Sequence, residues 1–366
     1  MVPLARVTGL RARAFTISTD APEADGTMAW DSTTLVVVEV DGGGQTGLGY
    51  TYADASAVTL INEKLAQTVC GSDAFDPPGT NRALHRAVRN IGRQGLAATA
   101  ISAIDAALWD LKAKLLDLPL VRLLGAYREA VPIYGSGGFT SYDDRQLARQ
   151  LASWVEEDGC RWVKMKVGSQ PGRDPARVRT AKAAIGDSPQ LFVDANGAYA
   201  VKEAIALAQT FKQEADIGWF EEPVSSDDLE GLREVRAGVP AGLVIAAGEY
   251  GYDLDYFRRM LAARAVDVQQ ADASRCGGIT GFLAAGTLVD AFHLDLSGHC
   301  APALHLHVAC AVPRLRHLEW FHDHVRIEHK LFDGAPSPRD GMIRPDLSRP
   351  GLGLAFRWQD AEAFAP

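Results

Sequence analysis

From YGSGGF onward the chain repeats one unit: a short apolar run, then a helical stretch of roughly a dozen residues, then another short run. The runs are RWVKMKV, QLFVDA, IGWFEE, LVIAAG, VDVQQA, HLDLS and RHLEWF. Repeated βα units of this length set successive strands parallel, and about eight of them close into a barrel. Ahead of them the order is strands, then helices. VTGLRARAFTI and TTLVVVEV read as strands, DGGGQTG as a turn, and SAVTLINEKLAQTV and ATAISAIDAALWDLKAKLL as helices. This divides the chain into an α+β unit over 1–125 and a barrel over 126–325. TDAPEADGTMAWDST and DGMIRPDLSRPGLGL read as irregular surface segments.

Acids recur at the ends of these runs. Asp194 follows LFV, Glu221 follows GWF and Glu249 follows VIAAG, so the second interval matches the first to within one position. Each interval is one βα unit, so the three acids converge at the C-terminal face of a barrel, where barrel active sites lie. Singly, each could cap the helix after it; the shared period favours a joint role. Three close carboxylates repel unless a cation joins them, and oxygen ligands select a hard ion such as Mg²⁺. Glu222, beside Glu221, is expected to support the site from behind or to face solvent.

Side chains alternate along a strand, so in RWVKMKVG the lysines Lys164 and Lys166 share a face with Trp162. Val163, Met165 and Val167 should face the helices, which sends both lysines into the barrel; the alternative is a solvated pair on an edge strand. Mutual repulsion and partial burial are expected to lower a lysine pKa toward the working range of a base. Lys166, nearer the catalytic end, is the candidate. Asp272 ends VDVQQA and His299 ends LDLSG, separated by the same interval as Asp194 and Glu221. An Asp beside a His fixes the imidazole tautomer and makes His299 an acid/base group. Glu319, in RHLEWF, closes the ring as a hydrogen-bonding partner for a substrate oxygen.

Composition excludes several classes. A net charge of -9 without a basic block argues against nucleic acid or an anionic membrane as partner. No apolar run reaches the length of a membrane span, and the N-terminus lacks the apolar core of a secretory signal. Arg6, Arg11 and Arg13 faintly resemble an organelle transit segment, but the alternation there fits a strand better. The five cysteines form no CxxC pair, which fits a reducing, cytoplasmic location.

The order KMKVG, FVDANG, WFEEP, AAGE, QADASRCGGIT, SGHCAP and LEWF resembles the mandelate racemase-like group of the enolase superfamily across nearly the whole chain. The resemblance implies a modified TIM barrel, (β/α)₇β, capped by an α+β domain that the tail 326–366 completes. It implies Mg²⁺ held by Asp194, Glu221 and Glu249, Lys166 as base, Lys164 beside the substrate carboxylate, and the Asp272–His299 pair as acid/base on the other side. Glu319 resembles the carboxyl group that hydrogen-bonds the ene-diolate. The segment 18–33, with Trp30, and the loop near Tyr50 and Tyr52 would close over the substrate, and Asn196 would contact it. The substrate is a small carboxylate, and a homo-oligomer is implied.

Relatives that make lactones or succinylbenzoate carry a lysine where this chain has Asp272, so those chemistries recede. Segment 18–33 has acids but no Lys or Arg, which disfavours a second carboxylate on the substrate. Dehydration of a monocarboxylic sugar acid is therefore the leading expectation, with racemisation or epimerisation of a 2-hydroxy acid as the alternative. HLH at 305–307 imitates the HxH pair of barrel amidohydrolases but falls in a helix, where i and i+2 diverge. HDH at 322–324 follows the last strand; His322 could reach the site or be loop polarity. A barrel kept only for binding would be expected to have lost a ligand or a base, and none is missing.

Overall fold

The computed structural model describes residues 5–365. Strand β1 (Val7–Ala24) pairs antiparallel with β2 (Ala29–Gly42), and β2 with β3 (Gln45–Tyr52). Gly43 and Gly44 turn the second hairpin with φ of 57° and 80°, values that only residues tolerant of positive φ adopt freely. Helices follow, the longest being Leu96–Leu115, which is buried along most of its surface. Val36, Val38 and Val40 on one face of β2 pack with Ile101, Ile104 and Leu108 of that helix. Both faces of β2 are covered, because Leu35 and Val37 belong to the barrel-side core.

The segment expected to be irregular over residues 19–33 is instead a β-ribbon. Pairing runs to Ser18↔Ser32, slips, and resumes at Glu23↔Trp30 and Ala24↔Ala29. The Asp25 carboxylate accepts from the amides of Thr27 and Met28 at 2.6 and 2.8 Å and closes the turn. The ribbon overhangs its sheet and is held by backbone pairing together with Thr140 and Ser141, which donate to its carbonyls, and Trp30 against Phe139, so no alternating apolar period marks it in the sequence.

Eight parallel strands form the barrel: β4 (Val131–Gly137), β5 (Trp162–Lys166), β6 (Gln190–Asp194), β7 (Trp219–Glu221), β8 (Val244–Ala247), β9 (Val268–Ala271), β10 (Asp295–Gly298) and β11 (Leu315–Phe321). Pairing of β11 with β4 closes the ring. One helix joins each strand to the next, which gives the (β/α)₇β order. Trp162, Tyr134, Phe192 and Trp219 fill the barrel floor.

After β11 come a helix (His322–Leu331), β12 (Phe332–Asp333), β13 (Met342–Ile343) and β14 (Ala355–Phe356). The tail is not wholly irregular, since β13 pairs antiparallel with the start of β4. It then returns to the first sheet, where Phe356 and Trp358 pack on Phe15 and Glu362 pairs with Arg13 at 2.7 Å. Among the described residues no helix is long and apolar enough to cross a membrane. All five cysteines are unpaired.

Candidate active site

Strand register brings the charged groups onto one rung. Lys166 pairs with Asp194 across β5 and β6, and Asp194 with Glu221 across β6 and β7. Glu249 lies just beyond β8, after Gly248 at φ 137°, where a Cβ would meet the Gln270 carbonyl oxygen at 2.1 Å. Only glycine fits there. Asp194, Glu221 and Glu249 can each offer an oxygen within 4.8 Å of the others, and all three are buried.

As the alternation requires, Lys164 and Lys166 point into the barrel, while Val163, Met165 and Val167 join the core between strands and helices. Lys166 Nζ donates to Asp194 Oδ2 at 2.6 Å. Lys164 Nζ lies 2.5 Å from Glu221 Oε1, 2.7 Å from Glu319 Oε1 and 3.3 Å from Asp194 Oδ2. The expected lowering of the lysine pKa is not found. Burial does push the Lys166 ammonium downward, but Asp194, and behind it Glu249 and Glu221, outweigh both that and the Lys164 charge, so the proton is held more tightly than usual. Lys164, enclosed by acids, shifts the same way, and no part of it reaches the cavity.

Among the acids, burial and then the Asp194 charge raise Glu221 to about 8. Against its own burial, Asp194 is brought down to about 2 by Lys166 and Lys164. Three oxygen donors with a surplus of buried negative charge suit a hard divalent cation. Glu249 Oε2 is buried with no hydrogen-bond partner, which is the orphan oxygen that such an ion would satisfy.

Across the barrel from β5, Asp272 and His299 follow directly on the paired residues Ala271 and Gly298. Asp272 Oδ2 holds His299 Nδ1 at 2.8 Å, leaving Nε2 toward Glu249, Cys300 and Glu319 at 3.5, 3.3 and 3.7 Å. Burial pulls the His299 pKa down, but Glu249 and Glu319 overcome it and favour the imidazolium. Glu319 accepts from Ser136 Oγ at 2.6 Å and Cys300 N at 3.0 Å. Although burial opposes it, Lys164 and His299 keep this carboxyl well below its usual range, so it is an acceptor.

A cavity of about 550 Å³ lies over these groups, lined by Lys166, Asn196, Glu249, His299 and Glu319 on the barrel side and Trp30 on the ribbon side. Tyr50 does not reach it. Tyr50 is fully buried and its hydroxyl donates to Glu328 Oε1 at 2.6 Å; Tyr52, on the same face of β3 but at the end of the strand, lines the cavity instead. Glu222 is also buried rather than exposed.

His324, not His322, lines the cavity. It stacks on Tyr52 with centroids 3.5 Å apart, and its Nδ1 accepts from Ala301 N at 3.2 Å. Burial, then the His299 charge, lowers it to about 3. The two histidines stand two positions apart on one helix and so diverge. His305 and His307 are in a helix, as expected, and accept from the amides of Ala273 and Val121.

Sequence reading missed Arg275, which bridges Glu249 and Asp272 at 3.4 and 3.5 Å and lies over the Tyr250 ring. Its place three positions after Asp272, in the turn that follows β9, was the available signal. It placed segment 18–33 over the substrate without singling out Ser32 and Thr33, and it missed Thr34, on the cavity wall, since nothing local marks a ribbon residue as facing a substrate.

Residues 13–125 match the mandelate racemase/muconate lactonizing enzyme N-terminal domain, and residues 146–361 match the enolase C-terminal domain-like family. The chain belongs to the mandelate racemase/muconate lactonizing enzyme family. It is 34% identical to L-talarate/galactarate dehydratase of Salmonella typhimurium over 325 residues, 86% of this chain and 78% of that protein. A mandelate racemase/muconate lactonizing enzyme-like protein from Rubrobacter xylanophilus shares the fold at a TM-score of 0.96 and 51% identity, covering 99% of this chain and 100% of that one. A racemase from Streptomyces coelicolor, solved with bound magnesium, superposes at 0.92 with 30% identity, covering 98% of this chain and 100% of that one. This family member is an enzyme of the dehydratase or racemase type.

Proposed function

We propose that the enzyme removes the proton α to the carboxylate of a polyhydroxy monocarboxylic acid and expels the β-hydroxyl as water, giving a 2-keto-3-deoxy acid. The observation that carries this reading is the composition of the cavity wall away from the acids. Ser32, Thr33, Thr34, Tyr52, Asp25 and Asp54 offer hydroxyls and carboxylates to a polyol chain, and carboxylates can only accept. The cavity's Lys and Arg side chains, Lys166 and Arg275, are both already paired with acids. A second substrate carboxylate would face Asp25 and Asp54.

Asp194, Glu221 and Glu249 would hold a Mg²⁺. What that ion supplies is positive charge beside the substrate carboxylate as it gains enolate character, the electrostatic contribution that usually dominates. Lys166 takes the α-proton, and Lys164 holds positive charge beneath the acids. His299, held by Asp272 with Nε2 toward the cavity, gives its proton to the departing hydroxyl. Glu319 accepts a hydrogen bond from the substrate, and Asn196 and Trp30 bound its position.

A racemase reading rests on one feature, the placement of Lys166 and His299 on opposite sides of the cavity, because a protonated His299 could return a proton to the α-carbon. Incubation with aldonic and hydroxy acids in D₂O, followed by NMR, separates the two. A 2-keto-3-deoxy product is expected. A deuterated epimer without keto acid, from the best substrate found, would overturn dehydration and leave proton abstraction standing.

A further inference from the structure

Behind Trp30, away from the cavity, lies a second cluster. Asp20 and Glu23 in β1 and His322 after β11 can each offer a ligand atom within 4.8 Å of the others. Two features separate it from an ordinary surface ion pair. Glu23 is 0% exposed and its Oε1 has no partner, while Oε2 is held by Trp30 Nε1 at 2.8 Å. Asp323, next to His322, is likewise 0% exposed, with Oδ2 unpartnered and Oδ1 bound to Arg326. Three carboxylates thus meet one guanidinium and one imidazole, and buried carboxylates without partners are costly. Asp20 and His322 open onto a hollow of about 590 Å³ that also holds Arg149, Glu156 and Glu157, so an ion has a way in.

We propose that Asp20, Glu23 and His322 form a second divalent-cation site that pins the capping ribbon to the barrel. Two carboxylates and an imidazole are a borderline donor set that suits zinc, unlike the all-oxygen catalytic set. The fourth position faces the hollow and is left to water. Asp20 and Glu23 stand on the overhanging part of β1, where pairing with β2 is interrupted after Ser18 and the barrel is reached through Ser141 Oγ donating to Pro22 O at 2.6 Å and Thr140 N to Ala24 O at 2.8 Å, whereas His322 is fixed at the end of a barrel strand. An ion bridging them adds a side-chain tie to these contacts and, through Glu23 Oε2, sets the Trp30 indole over the cavity. Occupancy therefore governs substrate capture. The site is independent of which reaction the cavity performs.

The test is calorimetric titration of zinc into full-length protein kept saturated with Mg²⁺. Wild type is expected to bind one zinc that His322→Ala loses or binds at least ~100-fold more weakly. Asp20→Asn, at an exposed position, should weaken the same site. Glu249→Gln, which disables the catalytic acids, should retain it. Hydrogen exchange over residues 18–33 should slow on adding zinc to wild type and not to His322→Ala. Equal zinc binding by wild type and His322→Ala, or loss of the zinc with Glu249→Gln, would overturn the proposal.

Discussion

On a single rung of the barrel, Lys166, Asp194 and Glu221 sit side by side, and their charges set one another. Lys166 is held protonated by Asp194 at 2.6 Å, so its service as a base requires that the carboxylate charge be taken up by an ion. Chelation should therefore abolish turnover. Glu221→Gln should weaken Mg²⁺ binding, measured by equilibrium dialysis, without unfolding the barrel. Lys166→Ala and His299→Asn should each lose about 10² to 10⁴ in rate with metal still bound, since acid/base groups contribute on that order. Normal turnover by either variant on the true substrate would remove it from the mechanism. Glu328 gives a pH prediction away from the site. Burial raises it to about 8, and the Tyr50 hydroxyl and Ala303 amide that donate to it offset only part of that. A folded-state pKa above the unfolded one means that the native protein holds a proton the unfolded chain has lost. Stability should then fall as pH rises from about 4.5 to about 8, by at most a few kcal/mol from this group. Urea midpoints at pH 5 and pH 8 should differ less in Glu328→Gln than in wild type.

Among the elements, β3 meets one of its neighbours where it carries no side chain. Gly47 and Gly49 let the helix Leu96–Leu115 lie directly on the strand, where a Cβ would come within 2.1 Å of the Ala107 and Ala103 carbonyl oxygens. Gly49→Ala should cost ~1–3 kcal/mol by overpacking, read from the urea midpoint, and should leave the barrel strands assembled. The β1–β2 ribbon behaves differently, because it buries little and carries Trp30 to the cavity. Trp30→Ala should raise KM more than it lowers kcat, since the indole bounds the substrate and takes no part in proton transfer. Ribbon and strand alike are invisible to a search for apolar alternation. The first has polar residues on both faces, and the second makes its contact where side chains are missing.

At the scale of the whole molecule, one buried carboxylate joins three distant segments. Asp110 accepts from Leu48 N at 2.7 Å in the cap sheet and Leu352 N at 2.6 Å in the tail, and pairs with Lys114 at 2.7 Å in its own helix. Asp110→Ala leaves two buried amides unsatisfied and removes the ion pair of Lys114, whose Nζ still donates to Thr46 O at 3.0 Å. Each lost acceptor costs ~1–3 kcal/mol. The variant should lower the thermal midpoint and expose residues 345–365 to proteolysis before the barrel. Cleavage at the same rate as wild type would show that the tail is held by Phe356 and Trp358 instead.

The barrel and its ring of acids were legible in the chain because both obey periods. Strand alternation decides which way Lys164, Lys166 and Val163 point, and the regular βα repeat returns Asp194, Glu221 and Glu249 to one face. Such periods are local and survive without knowledge of what packs where. What the tertiary structure decided depends on neighbours far apart in sequence. The direction of the Lys166 pKa came from an acid on the next strand, which repulsion from Lys164 could not overcome. The choice of Tyr52 over Tyr50 turned on how far along one strand face the cavity begins, and that of His324 over His322 on the phase of a helix relative to the barrel mouth. The ribbon over residues 19–33 was set by backbone pairing and by contacts from Phe139, Thr140 and Ser141, and the return of the tail by aromatic contacts between Phe15, near one end of the chain, and Phe356, near the other. A one-dimensional pattern carries no information on those, because their partners do not exist until the chain has closed.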